Sequence, residues 1–111
     1  MKDTAAAMAK DYVMIEIDVD RMAMGKHVAD KLTGGQSKGF PWTVILDGEG
    51  NQLVTSDGPK GNIGCPVTDE ESSWFLEMID RTRQHMSDAD RAAIARDLAT
   101  HATKINAARR R

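Results

Sequence analysis

The chain has a single cysteine, Cys65, among its 111 residues. One cysteine cannot close an internal disulfide, and it cannot form the cysteine pair that dithiol chemistry requires. Histidine is also sparse, and the three histidines stand far apart, without the spacing of zinc sites or metal-binding helices. No glycine-rich segment has the strand-to-helix context of a phosphate-binding loop. We therefore expect neither a metal nor a cofactor.

Long apolar runs are missing as well. No stretch approaches the length needed to cross a bilayer, and the alanine-rich residues 4–9 are too short and too weakly apolar for a signal peptide. The formal net charge of −2 provides no field that would gather nucleic acid or an anionic membrane. These absences predict a soluble chain that binds neither nucleic acid nor membrane. Its compartment is open, with the cytoplasm as the default.

A chain of this length forms one domain with a modest core. Its alanine-rich start predicts the end of a helix. Residues 12–19 are rich in β-branched side chains and predict a strand, with Val13, Ile15 and Ile17 on one face. Either Asp18 or Asp20 is expected to cap the next helix.

That next helix is predicted to turn Met22, Val28, Ala29 and Leu32 toward the core and to end at Gly34. It would complete a strand-helix unit.

A proline-led apolar strand follows at residues 39–47 and is the most informative stretch of the chain. Proline cannot donate to a sheet ladder, so Pro41 belongs at the strand's start or at a sheet edge. Residues 47–51 form a turn that returns the chain into residues 52–56, which predicts a β-hairpin. Residues 57–66 are rich in glycine and proline and predict an irregular loop.

Two helices complete the chain. Thr68 and Glu71 have the spacing of a capping box, and Ser87 is predicted to cap the last helix. The apolar residues that recur at helical intervals are Trp74, Phe75, Met78, Ile79 and Met86 in the first helix, and Ile94, Leu98 and Ile105 in the second. The stripe of the last helix is thin, so we expect it to be the least stable element.

The order strand, helix, proline-led strand, hairpin partner and helix over residues 12–86 resembles the C-terminal half of thioredoxin-like domains. The sequences Gly39-Phe40-Pro41 and Ile17-Asp18-Val19-Asp20, and the hairpin after Leu46-Asp47, support the resemblance. It implies an α/β fold in which a mixed sheet containing a β-hairpin is flanked by helices, with an extra C-terminal helix.

The resemblance divides the chain into a partial thioredoxin-like domain, residues 1–86, and a C-terminal helical extension, residues 87–111. In the family, a Cys-x-x-Cys segment and the strand before it precede the matched part, and that strand lies in the middle of the sheet. Without it, two neighbouring strands have unpaired backbone groups. Three explanations are open: the chain is a fragment, its strands pair differently, or a second copy or another protein supplies the missing edge. We favour the fragment, because Met1 falls inside what reads as a continuing helix.

The resemblance also implies a substrate-binding role for Phe40 and Pro41. In the family, the residue before a cis-proline offers its backbone to an extended substrate segment, and the proline packs beside the reactive sulfurs. The alternative is structural: Pro41 opens a strand and Phe40 fills the core. Both interpretations of Phe40 and Pro41 remain open.

Cys65 is a candidate reactive thiol because it lies in a flexible Gly/Pro-rich setting. Reactivity requires a nearby cation, a metal or a helix N-terminus, and the helix that opens at Thr68 is the candidate. Neither a histidine nor a basic residue adjoins Cys65, and Lys60 is the nearest one in sequence. An inert cysteine is therefore the favoured interpretation.

Three functions follow from these observations. The first is a thioredoxin-like domain related to thiol-disulfide oxidoreductases, inactive alone because the cysteine pair is missing. The second is a non-catalytic thioredoxin-like module that binds a protein or peptide and is completed by dimerisation. The third is a small structural α/β domain. A cysteine pair upstream would favour the first, and a homodimer or bound partner the second.

Overall fold

A computed structural model describes residues 2–35, 39 and 41–109. Its elements, in chain order, are α1 (Lys2–Met8), α2 (Gly25–Thr33), β1 (Val44–Leu46), β2 (Gln52–Thr55), β3 (Asp57–Gly58), β4 (Gly61–Asn62), α3 (Asp69–Thr82) and α4 (Asp88–Arg109). The mixture of helices and strands confirms the α/β class. Of the helices in the described part of the chain, none combines the length and apolar character needed to cross a membrane.

The strands form two antiparallel pairs. In the first, β1 pairs with β2, with Val44 opposite Thr55 and Ile45 opposite Val54. This confirms the predicted hairpin. In the second, β3 pairs with β4, so part of the segment predicted to be an irregular loop is a short hairpin. The prediction for residues 57–66 was therefore wrong at that point, because a tight turn at Pro59-Lys60 brings the two short strands together.

The helix α3 begins with the predicted capping box. The Thr68 hydroxyl accepts from the Glu71 N–H, and the Glu71 carboxylate accepts from the Thr68 N–H at 2.9 Å. Both groups satisfy N–H donors that have no partner within a helix. Ser87 caps α4 in the same way, since its hydroxyl accepts from Asp90 N–H and its N–H donates to the Asp90 carboxylate.

The helix α3 ends at Thr82, earlier than the predicted pattern, which extended to Met86. Arg83 is already extended, and Met86 lies in the α3–α4 connection, where it is buried. Met86 is thus a core residue, as the pattern indicated, but it is not helical. Met86 is buried because the α3–α4 connection folds back on the core, and helical periodicity in the sequence cannot predict such a fold.

The core has two clusters with α3 between them. The first lies between α1, α3 and α4 and consists of Ala7, Ile79, Met86, Ile94 and Leu98. The second lies between α3 and the hairpins and consists of Val54, Ile63 and Met78. The adjacent residues Met78 and Ile79 therefore belong to different clusters, and Phe75 packs against both clusters.

Residues 12–19 were predicted to be a strand, and this was wrong. The segment is in neither a strand nor a helix, and it pairs with no described part of the chain. A strand exists only through hydrogen bonds to a neighbour, and the β-branched composition that favours it cannot provide that neighbour. The segment has strand composition without a sheet.

The start of α2 also differs from its prediction. Asp18 does not cap the helix; its carboxylate accepts from the N–H groups of Asp20 and Arg21 and closes a separate turn. The helix begins later, at Gly25, after Met24 adopts a left-handed backbone with φ of 62°. A Cβ at position 25 would lie 2.4 Å from the Asp18 carbonyl oxygen, so only glycine fits where this turn meets the helix.

Two of the core residues predicted for α2 are exposed. Met22 lies in the turn before the helix, and Val28 faces solvent within it. Ala29 and Leu32 are partly buried, and α2 ends with Gly34 in the left-handed conformation, as predicted. The shifted start changes which residues face inward.

Candidate functional site

The most unusual surface of the molecule is an extended apolar segment, Val13–Ile17, with no strand beside it. Val13, Met14 and Ile15 are 89%, 70% and 76% exposed. Within the described residues, no hydrogen bond joins the backbone of Val13–Ile17 to another group. Its N–H and C=O groups are therefore available along with the side chains of Val13, Met14 and Ile15, whereas Ile17 is partly buried. Free backbone groups beside exposed apolar side chains are the usual condition of an edge strand that takes another chain.

Both ends of this segment are held by the rest of the protein. At its start, the Tyr12 N–H donates to the Met8 carbonyl, and the Tyr12 hydroxyl shares a hydrogen bond with Thr82 of α3. At its end, the Asp18 N–H donates to the Met22 sulfur, and the Asp18 carboxylate closes the turn before α2. The free length is thus five residues between two fixed points, and its position does not depend on a partner.

Asp11 reinforces the first of these anchors. Its carboxylate accepts from the N–H groups of His85 (2.8 Å) and Met86 (2.8 Å), and so ties the end of the α1 region to the α3–α4 connection. Desolvation acts to raise the pKa of Asp11, but the backbone donors outweigh it, so that this pKa lies below its ordinary value. For Tyr12, partial burial raises the pKa, and the hydrogen bond with Thr82 opposes that rise.

The strand β1 has a free edge. Just before β1, the C=O of Thr43 accepts from Ser56 N–H, and just after β1, Asp47 N–H donates to the C=O of Asn51. In this part of the chain the odd-numbered residues therefore direct their backbone groups toward β2. By the same alternation, Val44 and Leu46 direct theirs to the opposite side. No described strand lies on that side, because β1 and β2 form a two-stranded sheet.

A cavity of about 400 Å³ lies between Tyr12, the residue before the extended segment, and the first hairpin. Its apolar wall is formed by Tyr12, Ile45, Leu46 and Leu53. Leu46 and Leu53 are exposed there. Polar groups of the α1 region and the α3–α4 connection close the other side: Lys10, Asp11, Thr82, Gln84 and His85. The cavity thus has a small apolar wall within a mostly polar lining, and it lies beside the free edge of β1.

The predicted pair Phe40 and Pro41 is only partly within the described structure. Phe40 lies outside the described residues, so its predicted role cannot be compared with a position. Pro41 is exposed, two residues before Thr43, where pairing with β2 begins. The strand β1 begins only at Val44, so the strand predicted for residues 39–47 is shorter than expected, and Pro41 precedes it without opening it. A residue without an N–H is tolerated at such a position.

Asn62 holds the backbone around Pro41 in place and was not singled out from the sequence. Its side-chain amide donates to the carbonyls of Gly39 (2.6 Å) and Pro41 (3.0 Å), and its carbonyl oxygen accepts from the Ser56 hydroxyl at 2.7 Å. It joins β4 to a segment more than twenty positions earlier. Its setting between two glycines indicates a turn and gives no sign of this long-range contact.

Cys65 is exposed and free. It follows Gly64, at which a Cβ would lie 3.7 Å from Cδ of Pro41. The structure therefore brings the two predicted site residues Pro41 and Cys65 into one loop region, although they are far apart in sequence. It brings no second cysteine there, since the chain has none. Among residues 2–35, 39 and 41–109, no group of three or more histidine, cysteine or acidic residues has the arrangement of a metal site.

A second, larger cavity of about 590 Å³ lies between the β3–β4 hairpin and α3, with Trp74 in its wall. The Trp74 N–H donates to the Thr55 carbonyl at 3.0 Å, and the Arg81 guanidinium lies 5.0 Å from the centre of its ring. The Glu71 carboxylate at the same wall is occupied by the helix cap, and the Thr68 N–H is the main cause of its lowered pKa. Trp74 and Glu71 thus have structural partners already.

Comparisons with protein-family models, curated proteins and solved structures gave no match. The functional argument therefore depends on the geometry of this chain.

Proposed function

We propose that this chain is a thioredoxin-like protein-binding module that takes an extended segment of a partner protein or peptide as an additional strand. The observation that carries the proposal is the Val13–Ile17 segment, which is extended, apolar and without backbone partners while anchored at both ends. A partner strand added along such a segment would bind by main-chain hydrogen bonds, and side chains on alternate positions would provide specificity.

The second support is the position of the cavity. It lies between Tyr12, the residue before the segment, and β1, whose free edge carries the backbone groups of Val44 and Leu46. In the family that the sequence resembles, the middle strand of the sheet lies between the two elements that correspond to Val13–Ile17 and β1. A partner strand at this place would satisfy backbone groups on one or both of its neighbours.

The thioredoxin-like part of the proposal depends on the order of elements. Residues 12–19 form no strand, but the later elements α2, the β1–β2 hairpin after Pro41, and α3 follow the order that the resemblance implies. The helix α3 packs its Met78 against Val54 of the hairpin, which is the layer arrangement expected for the second half of such a domain. Because the chain has one cysteine, we propose binding as its role and no dithiol exchange by the chain alone.

Thiol chemistry is a second candidate function, and the exposed Cys65 beside the Pro41 region favours it. A Cys65 thiolate could attack a disulfide of a partner and release the other sulfur as a thiolate, leaving a mixed disulfide. Incubation with oxidised glutathione, followed by intact-mass measurement, tests this chemistry. A glutathione adduct that forms no faster than on a free cysteine-containing peptide would remove the candidate.

Titration of the ¹⁵N-labelled chain with a short, blocked peptide of alternating valine and lysine tests the binding proposal. A lysine of the peptide would face the acidic Glu16. We expect amide shifts concentrated at Val13–Ile17 and at the free edge of β1. Shifts confined to other regions would contradict the proposal.

Two matched variants make this experiment more specific. Ile15→Pro removes a backbone donor from the middle of the segment, whereas Ile15→Val retains the donor and the β-branched side chain. Because Ile15 is 76% exposed, neither change removes a core contact. We expect Ile15→Pro to weaken peptide binding at least tenfold and Ile15→Val to leave it nearly unchanged. Equal affinities for the two variants would overturn strand addition at this segment.

A further inference from the structure

We propose that the partner strand is supplied by a second copy of this chain, and that the two Val13–Ile17 segments pair antiparallel about Ile15. This inference depends on the proposed function, because it names the occupant of the same free segment. It follows from the length of the segment, the distribution of its apolar side chains and the position of its single charge.

The free length determines the register. Tyr12 and Asp18 are both tied to the body of the protein, so five residues are available, and Ile15 is the central one. Antiparallel pairing of two identical segments uses all five only when Ile15 lies opposite Ile15 of the second copy. This arrangement has a two-fold axis through the middle of the ribbon, as an isologous dimer requires.

The same register also brings the apolar faces of the two segments together on one side of the ribbon. It places Val13 opposite Ile17 and Ile15 opposite its own copy, so six β-branched side chains lie on one face of the ribbon. Cross-strand pairs of β-branched residues are among the favourable ones in sheets. A shift of one position would combine the Val13, Ile15 and Ile17 face of one segment with the Met14 and Glu16 face of the other, so that Val13 would lie opposite Glu16.

The charge on the other face supports this register too. Glu16 lies opposite Met14 of the second copy, so no like charges meet directly. If the ribbon were centred on Glu16, two carboxylates would face each other and destabilise it. Among the registers that keep the Val13, Ile15 and Ile17 faces together, the one centred on Ile15 thus combines full length with charge separation.

The size of the ribbon sets the expected strength. Five residues on each side bury far less than the roughly 800 Å² per partner of a standard interface. An isolated pair of strands is also only marginally stable in water. The expected dimer is therefore weak and reversible, with a dissociation constant in roughly the micromolar to millimolar range.

Two opposite substitutions at Met14 test both the dimer and its register. In this register, each Met14 lies opposite Glu16 of the other copy. Met14→Lys would therefore pair a lysine with Glu16 at both symmetric positions, whereas Met14→Glu would bring two carboxylates together at each of them. Met14 is 70% exposed, so neither change alters the core. Sedimentation equilibrium should give a dissociation constant that is about tenfold or more higher for Met14→Glu than for Met14→Lys.

The matched control is the pair Ala107→Lys and Ala107→Glu on α4, which makes the same changes in net charge at another exposed position. It should leave the two dissociation constants within about twofold of each other. A wild-type chain that remains monomeric up to millimolar concentrations would overturn the proposal, as would equal constants for the Met14 pair. If Met14→Lys and Met14→Glu weaken the dimer by the same factor, as expected for strands paired about Met14, the register is wrong.

The peptide titration separates this inference from the proposed function. A chain that remains monomeric but shows Ile15-dependent peptide binding would retain strand addition and exclude a second copy as the occupant. A chain that does neither would overturn both proposals.

Discussion

Thr4 and Asp97 join the first helix to the last. The Thr4 hydroxyl donates to the Asp97 carboxylate at 2.6 Å, and the Thr4 N–H donates to the same oxygen at 3.2 Å. The N–H groups in the first turn of a helix have no partner within that helix, so a carboxylate from α4 satisfies one of them in α1. The Thr4 hydroxyl is the main cause of the lowered pKa of Asp97.

The change Thr4→Val tests this connection. Valine has nearly the shape of threonine but cannot donate through its side chain, so we expect a lower midpoint of thermal unfolding at neutral pH. The deficit should shrink as the pH falls through the lowered pKa of Asp97, because protonation of the carboxylate weakens the wild-type contact as well. The change Thr103→Val is the control, because the Thr103 hydroxyl donates only to a carbonyl within α4. Equal deficits for the two variants at neutral pH would show that the Thr4–Asp97 contact does not stabilise the fold.

The helix α4 contributes to the core mainly through its first half. Ile94 is completely buried and Leu98 nearly so, whereas Ile105 is only partly buried. We expect Ile94→Ala to lower the free energy of unfolding by about 2–5 kcal/mol, since it creates a cavity between α1, α3 and α4. Ile105→Ala should cost less than about 1 kcal/mol. Urea unfolding measures both, and similar losses for the two variants would contradict the described burial.

Gly58 lies against the ring of Trp74. A Cβ at position 58 would lie 3.1 Å from Trp74 Cγ, so Gly58→Ala must displace the indole or the β3–β4 hairpin. We expect a loss of roughly 1–3 kcal/mol and a change in the tryptophan fluorescence spectrum. At Gly48 a Cβ would meet no atom within 4 Å, so Gly48→Ala is the matched control and should change neither quantity appreciably. An unchanged spectrum for Gly58→Ala would indicate that the indole is not packed against this glycine.

Local signals in the sequence predicted the elements that need no distant partner. The capping box of Thr68 and Glu71, the Ser87 cap and the turn after Leu46 depend on residues a few positions apart, and all three are present. Residues 12–19 needed a neighbouring strand, and composition alone could not show that none is available. The start of α2 was missed for a related reason: Asp18 has capping chemistry, but its carboxylate closes the preceding turn.

The candidate site was predictable to a smaller extent. Pro41 was recognised because the lack of an N–H restricts where proline can lie, and Cys65 because it is the single thiol. The contacts that bring them near each other, through Asn62 and Gly64, join residues about twenty positions apart and left no periodic signal. The cavity beside Tyr12 and the hairpin is a property of the whole fold, so no local pattern indicates it.

Asp11 makes the stability of the anchor beside the free segment dependent on pH. Its carboxylate holds the N–H groups of His85 and Met86, and although desolvation opposes the effect, the pKa in the folded state lies below the ordinary value of 3.8. A group whose pKa is lowered by folding contributes stability above its unfolded pKa, and this contribution is lost as the pH falls through the folded pKa. Asp11→Asn should therefore be less stable than the wild type by a constant amount above about pH 5, with the difference shrinking at lower pH. Urea unfolding between pH 7 and pH 2.5 measures the difference.

Asp20→Asn is the control, since no described residue donates to the Asp20 carboxylate. If the Asp11→Asn deficit persists unchanged at pH 2.5, the charge of Asp11 is not its source, and the anchor must depend on packing by Tyr12 instead.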